Sequence, residues 1–92
     1  LSPADLILSG QQPREFAEKL GPHIVHVFAN DAVRGLGRSR GDVELGRGMA
    51  DFPELLGVLE EHNYQGWATI ERRSSRQPVE DVANAAEFLR SL

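Results

Sequence analysis

The stretch HIVHVFANDAVRG, residues 23–35, decides how this chain is read. Its first half, IVHVFA at 24–29, is β-branched and aromatic, with Pro22 before it and Asn30-Asp31 after it, the pattern of a buried strand. Alternation puts Ile24, His26 and Phe28 on one face and Val25, Val27 and Ala29 on the other. His23 and His26 then point to opposite sides and cannot share a metal ion. His26 reads as an interior histidine satisfied by a hydrogen bond. Phe28 offers no ligand atom and reads as core or the wall of a pocket.

Working outward, QPREFAEKL (12–20) places Phe16 and Leu20 four apart and predicts a helix ended by Gly21-Pro22. In DFPELLGVLEEHN (51–63), Phe52, Leu55, Leu56 and Leu59 fall at helical spacing and predict one apolar stripe. Asp51 is the expected N-cap, and Glu54 has capping-box spacing. WATIE (67–71) reads as a second strand. PVEDVANAAEFLRSL (78–92) reads as a last helix, with Pro78 near its start, Glu80 and Asp81 in its first turn, and a buried stripe of Val82, Ala85, Ala86 and Leu89. Between the strand and the central helix, RGLGRSRGDVELGRG (34–48) reads as a flexible surface loop. Its glycine amides would suit an anion, but it lacks the lysine and setting of a P-loop. His62, at a helix end, needs no functional explanation.

Strands alternating with amphipathic helices imply parallel β/α units. Two parallel strands are too few to stand alone, because parallel sheets are normally covered on both faces. The expectation is therefore the end of a larger α/β fold, and a chain that begins at Leu1 rather than Met is expected to have been cut from something longer.

Composition narrows the function classes. With 92 residues the chain holds one small domain at most, and without cysteine it has neither a disulfide framework nor a thiolate zinc site. A net charge of −4 argues against nucleic-acid binding by bulk attraction. The glycine-rich loop also lacks the interleaved aromatics that single strands stack on. The apolar runs are far shorter than the ~20 residues of a membrane span, and no secretory leader is visible. The expected setting is cytoplasmic, with no nucleic acid and no membrane among the partners.

Three pieces together, SPADLILSGQQPREFAEKLGPHIVHVFANDAVRG (2–35), ELGRGMADFPELLGVLEEHNYQGWATIE (44–71) and VEDVANAAEFLRSL (79–92), resemble the C-terminal third of the xylose-isomerase-like sugar isomerase/epimerase barrels. The resemblance covers nearly all of residues 1–92 as a single segment. It implies an α/β fold made of the C-terminal two to three β/α units of a (β/α)8 TIM-type barrel, incomplete as given. IVHVFA would be the seventh strand and WATIE the eighth.

The resemblance also implies a site. Members of the family hold one divalent ion (manganese, magnesium, cobalt or zinc) with two glutamates, an aspartate and a histidine at strand C-termini. Glu71 matches the final glutamate and is the candidate catalytic residue and residual metal ligand. Phe28 occupies the position of the histidine, and Ser2 that of the aspartate. The other glutamate would lie upstream of Leu1. No cofactor is therefore expected for this chain. Asp31 and Arg34 are the implied substrate-binding residues, Arg34 being suited to a phosphate, and His26 and Trp67 are further substrate-binding candidates. The plainer reading makes Glu71 a strand-end carboxylate paired with Arg72 or Arg73, Asp31 a turn residue and Arg34 a solvated arginine.

The implied parent activity is isomerisation or epimerisation of a sugar or sugar phosphate, with this chain inactive alone and self-associating. The alternative is a non-catalytic remnant that binds a ligand or assembles with copies of itself. A third reading, the DNA-cleaving endonuclease-IV-like branch of the same fold, is opposed by the acidic charge and the missing ligands.

Overall fold

The computed structural model describes residues 1–35 and 41–92. The centre of the glycine-rich loop reading, 36–40, lies outside the described residues. The elements run α1 (Pro3–Leu8), α2 (Pro13–Leu20), a 3₁₀ turn (Gly21–His23), β1 (Val27–Ala29), β2 (Asp31–Val33), β3 (Gly41–Val43), α3 (Phe52–Glu61), β4 (Ala68–Ile70) and α4 (Pro78–Arg90).

β1 and β4 pair in parallel, with Val27 opposite Ala68, Phe28 opposite Thr69 and Ala29 opposite Ile70. On the other side of β1, the Leu1 ammonium donates to the His26 carbonyl and Phe28 N–H donates to the Leu1 carbonyl, both at 2.8 Å. This is the slanted pattern of a parallel ladder. The expected β/α alternation is present around β1, α3 and β4, and three stretches of sequence depart from it.

The first departure precedes β1. The strand starts at Val27 rather than Ile24, because the 3₁₀ turn carries the chain through His23. Ile24 packs against the core while Val25 is 85% exposed, so the expected alternation begins only at His26. The second is α1, which is not among the elements expected from the sequence. Pro3 opens it, and Ala4, Leu6 and Ile7 bury its inner side. The third lies in the expected loop, where β2 and β3 form a short antiparallel pair, Asp31 opposite Val43 and Val33 opposite Gly41.

The core joins Val27 and Ala29 of β1 to Ala4, Ile7 and Ala17 and to the inner side of α3. Phe52, Leu55 and Leu59 of the expected stripe are buried, Val58 joins them, and Leu56 is only partly covered. Asp51 caps α3 by accepting the Glu54 N–H at 3.1 Å. The reciprocal half of the capping box does not form, because the Glu54 carboxylate is drawn to Arg14 at 2.7 Å. The stripe of α4 is shallower than expected. Ala85 is buried, Ala86 and Leu89 are partly covered, and Val82 is exposed. Phe88 takes up the packing instead, meeting Phe52 edge to face at 6.5 Å.

Candidate functional site

Strand parity divides the opening stretch into two faces. Val27, Ala29 and Asp31 turn toward the helices and are buried. His26 and Phe28, each only partly covered, share the opposite face, which in a closed barrel is the interior. The side chain of Asn30 lies past the strand's C-terminal end, where barrel chemistry is sited. On β4, Thr69 stands on the same face as His26 and Phe28. Its hydroxyl lies 2.9 Å from His26 Nε2, and the Phe28 ring meets the imidazole edge to face at 5.0 Å. By the same alternation Trp67 and Glu71 belong to this face. Trp67 is 82% exposed. His26 is thus hydrogen-bonded, as its strand position suggests, but on the open side of the sheet.

Beyond Ala29 and Ile70 the charges converge. The Glu71 N–H donates to the Ala29 carbonyl at 3.1 Å, fixing the glutamate just past the pair. Its Oε1 accepts from Arg73 Nε at 2.5 Å. The same guanidinium donates from Nη1 and Nη2 to the two carboxylate oxygens of Asp5, at 2.8 and 3.2 Å. The fork-to-fork hydrogen bonds to Arg73 hold Asp5 below the usual carboxylate range, and Arg73 is raised by Asp5 first and Glu71 second.

The segment carrying Arg73 is anchored from below. Asp42 Oδ2 accepts the backbone N–H groups of Arg73 and Ser74, each at 3.0 Å, and a short contact from Arg72 Nη1. Arg72 Nε also donates to Asp81 Oδ2 at 3.0 Å. The Arg72, Asp42 and Asp81 side chains are all largely buried. The Ser75 hydroxyl first, with Arg72 as well, keeps Asp81 below the ordinary value. These contacts join β3, the end of β4 and the first turn of α4 into one support.

Asn30 organises the other side of the face. Its Oδ1 accepts the Ala4 N–H at 2.9 Å, satisfying a free donor of the first turn of α1, and its Nδ2 donates to Ser2 Oγ at 3.0 Å. Asn30, Asp5 and Thr69 are not among the site residues that the sequence implies. Parity along the first strand already set Asn30 with His26 and Phe28, and Asp5 ends the Ser-Pro-Ala-Asp run quoted above.

Asp31 is elsewhere. It is fully buried on the helix side of the strand, and its carboxylate accepts four backbone N–H groups: Ala32 and Ala50 at Oδ1, Gly46 and Gly48 at Oδ2, at 2.9–3.1 Å. It holds the 44–50 segment in place. Arg34 is exposed, with its guanidinium set against Gly10 beyond α1. The face therefore gathers His26, Trp67 and Glu71, while Asp31 lies beneath its loop and Arg34 beside α1.

The donor set does not fit a divalent metal ion. Ser2 Oγ is a neutral hydroxyl bonded to Asn30, Phe28 has no donor atom, and Glu71 is engaged by a guanidinium. Among the described residues no three His, Cys, Asp or Glu side chains converge. A separate cavity of about 640 Å³, lined by Val27, Leu56, Tyr64, Ala68 and Leu89 among others, is bordered by none of these site side chains. No helix among the described residues is long and apolar enough to cross a membrane.

Comparison with known proteins agrees with this architecture. The chain is 33% identical, with a TM-score of 0.85, to the crystal structure of a xylose isomerase domain protein from Planctomyces limnophilus, over 98% of this chain and 35% of that one. It is 28% identical to an inosose dehydratase of Bacillus thuringiensis over 92% of this chain and 34% of the dehydratase. An uncharacterised protein of Methanocaldococcus jannaschii is 35% identical over 84% of this chain and 26% of its own length. The chain thus spans about a third or less of the relatives it matches. A family profile described as xylose isomerase-like TIM barrel covers residues 3–92, and the chain belongs to that family.

Proposed function

We propose that these residues form the C-terminal wall of a sugar or sugar-phosphate isomerase/epimerase-like site, and that this chain alone performs no turnover. One observation carries the reading. Glu71, Arg73 and Asp5 are joined at the C-terminal ends of two parallel strands, on the face that also presents His26, Thr69 and Trp67. Carboxylates, an imidazole and a guanidinium around an exposed indole suit a polyhydroxy compound, whose hydroxyls donate to the acids and whose ring stacks on the aromatic surface. In this reading Glu71 is the catalytic carboxylate of the parent site, and His26 and Trp67 contact the substrate. Arg34 meets a phosphate at the rim, and Asp31 acts indirectly, through the loop it holds. The dehydratase relative supports a polyol as ligand class.

Nuclear magnetic resonance titration with a ketose, a ketose phosphate and an inosose tests the proposal. Shifts gathered at His26, Trp67, Thr69, Glu71 and Arg73 are expected at millimolar ligand. Shifts confined to the apolar cavity, or none with any of the three compounds, would overturn it.

The non-catalytic, self-assembling reading keeps one observation in its favour. Trp67, just before β4, is 82% exposed, and Ala68 and Thr69 of that strand are also exposed.

A further inference from the structure

We infer that Arg73 is the resident cation of this face: its guanidinium occupies the carboxylates of Asp5 and Glu71 and keeps them from holding a divalent metal ion. Three N–H···O contacts of 2.5–3.2 Å tie one guanidinium to both acids. Arg73 is half exposed, and an isolated pair at that exposure would be weak. Here the side chain starts from a fixed backbone, because its own N–H is held by Asp42, and the preceding Arg72 is locked between Asp42 and Asp81.

The charge balance follows from these contacts. Two carboxylates around one guanidinium leave a single negative charge, spread over oxygens that already accept N–H bonds. An incoming divalent ion would have to take those oxygens from Arg73 and then lie beside its positive charge. Ser2 and Phe28 offer nothing in compensation. Arginine stays protonated across the whole working pH range, so raising the pH does not lift the block. This inference concerns the same face as the proposed sugar site but does not need a sugar to bind, and its test reads the cation alone.

The test is calorimetric titration of the protein with manganese chloride, repeated for Arg73→Gln, Arg73→Ala and Arg73→Lys, with circular dichroism confirming the fold. The Arg73 protein and Arg73→Lys are expected to show no saturable site. Arg73→Gln and Arg73→Ala are expected to gain a weak one, roughly millimolar because only Asp5 and Glu71 are freed to hold the ion, and Glu71→Gln in the Arg73→Gln background removes it. Saturable manganese binding by the Arg73 protein that disappears in Glu71→Gln would overturn the inference. So would folded Arg73→Gln and Arg73→Ala proteins that gain nothing.

Discussion

The N–H of Gly48 donates to Asp31 Oδ2 at 3.0 Å, and a Cβ at residue 48 would stand 2.3 Å from Asp31 Oδ1. The two residues, seventeen apart in sequence, fit each other only because one is a buried carboxylate and the other lacks a side chain. The same Cβ would lie 2.5 Å from the Ala32 carbonyl oxygen, which is backbone and cannot move aside cheaply.

Replacing Asp31 with alanine strands four backbone donors in a buried place. A loss of about 3–5 kcal/mol is expected, a large share of what a small domain has. Gly48→Ala should cost about 2–3 kcal/mol through the clash. Gly57, inside α3 with nothing within 4 Å of its would-be Cβ, is the control. There alanine should be neutral or stabilise by about 0.5–1 kcal/mol. Urea unfolding of the three variants checks the order, and a harmless Gly48→Ala would remove the account of this loop.

Acid titration isolates the Arg73 contact. The folded pKa of Asp5 lies below its ordinary 3.8, so its contribution is present above that value and is lost as pH falls through the lowered one. Asp5 is about half exposed, and solvent screening keeps this contribution to about 0.5 kcal/mol or less. In Arg73→Gln the Asp5 resonance should titrate closer to 3.8. An unchanged midpoint would mean that the guanidinium does not hold Asp5 in solution.

Self-association is expected of the 92-residue chain. Exposed Trp67 leads into β4, whose outer edge has no partner strand among the described residues, and a second copy pairing there covers both. Light scattering over a dilution series should show mass falling with concentration, and Trp67→Ser should shift the equilibrium toward monomer. A monomer at every concentration in the parent chain contradicts this.

The helix and strand periods made α2, α3, β4 and α4 legible, and the quoted motifs led to the family because they lie at the strand ends and turns that shape this fold. What escaped was set by contacts distant in sequence. Glu54 satisfies capping-box spacing, yet Arg14, forty residues earlier, takes its carboxylate. Asp31 follows a strand and reads as a substrate-binding or turn residue, whereas its burial depends on glycines 46 and 48 returning over it. The sequence offers Arg73 only as a partner for Glu71. Its second partner, Asp5, is 68 residues away, and no local pattern announces a pair of that separation. Parity was available throughout, and following it through Asn30 and Asp31 separates the open face from the packed one.

As proposed, this face supplies one wall of a sugar site and no metal-assisted chemistry of its own. The direct measurement is turnover by the purified 92-residue protein on a panel of ketoses and ketose phosphates, with manganese, magnesium or cobalt present. The predicted result is background rate with every metal, since a catalytic geometry is not assembled from two strands. Turnover above background that requires a metal and is lost in Glu71→Gln would contradict the account.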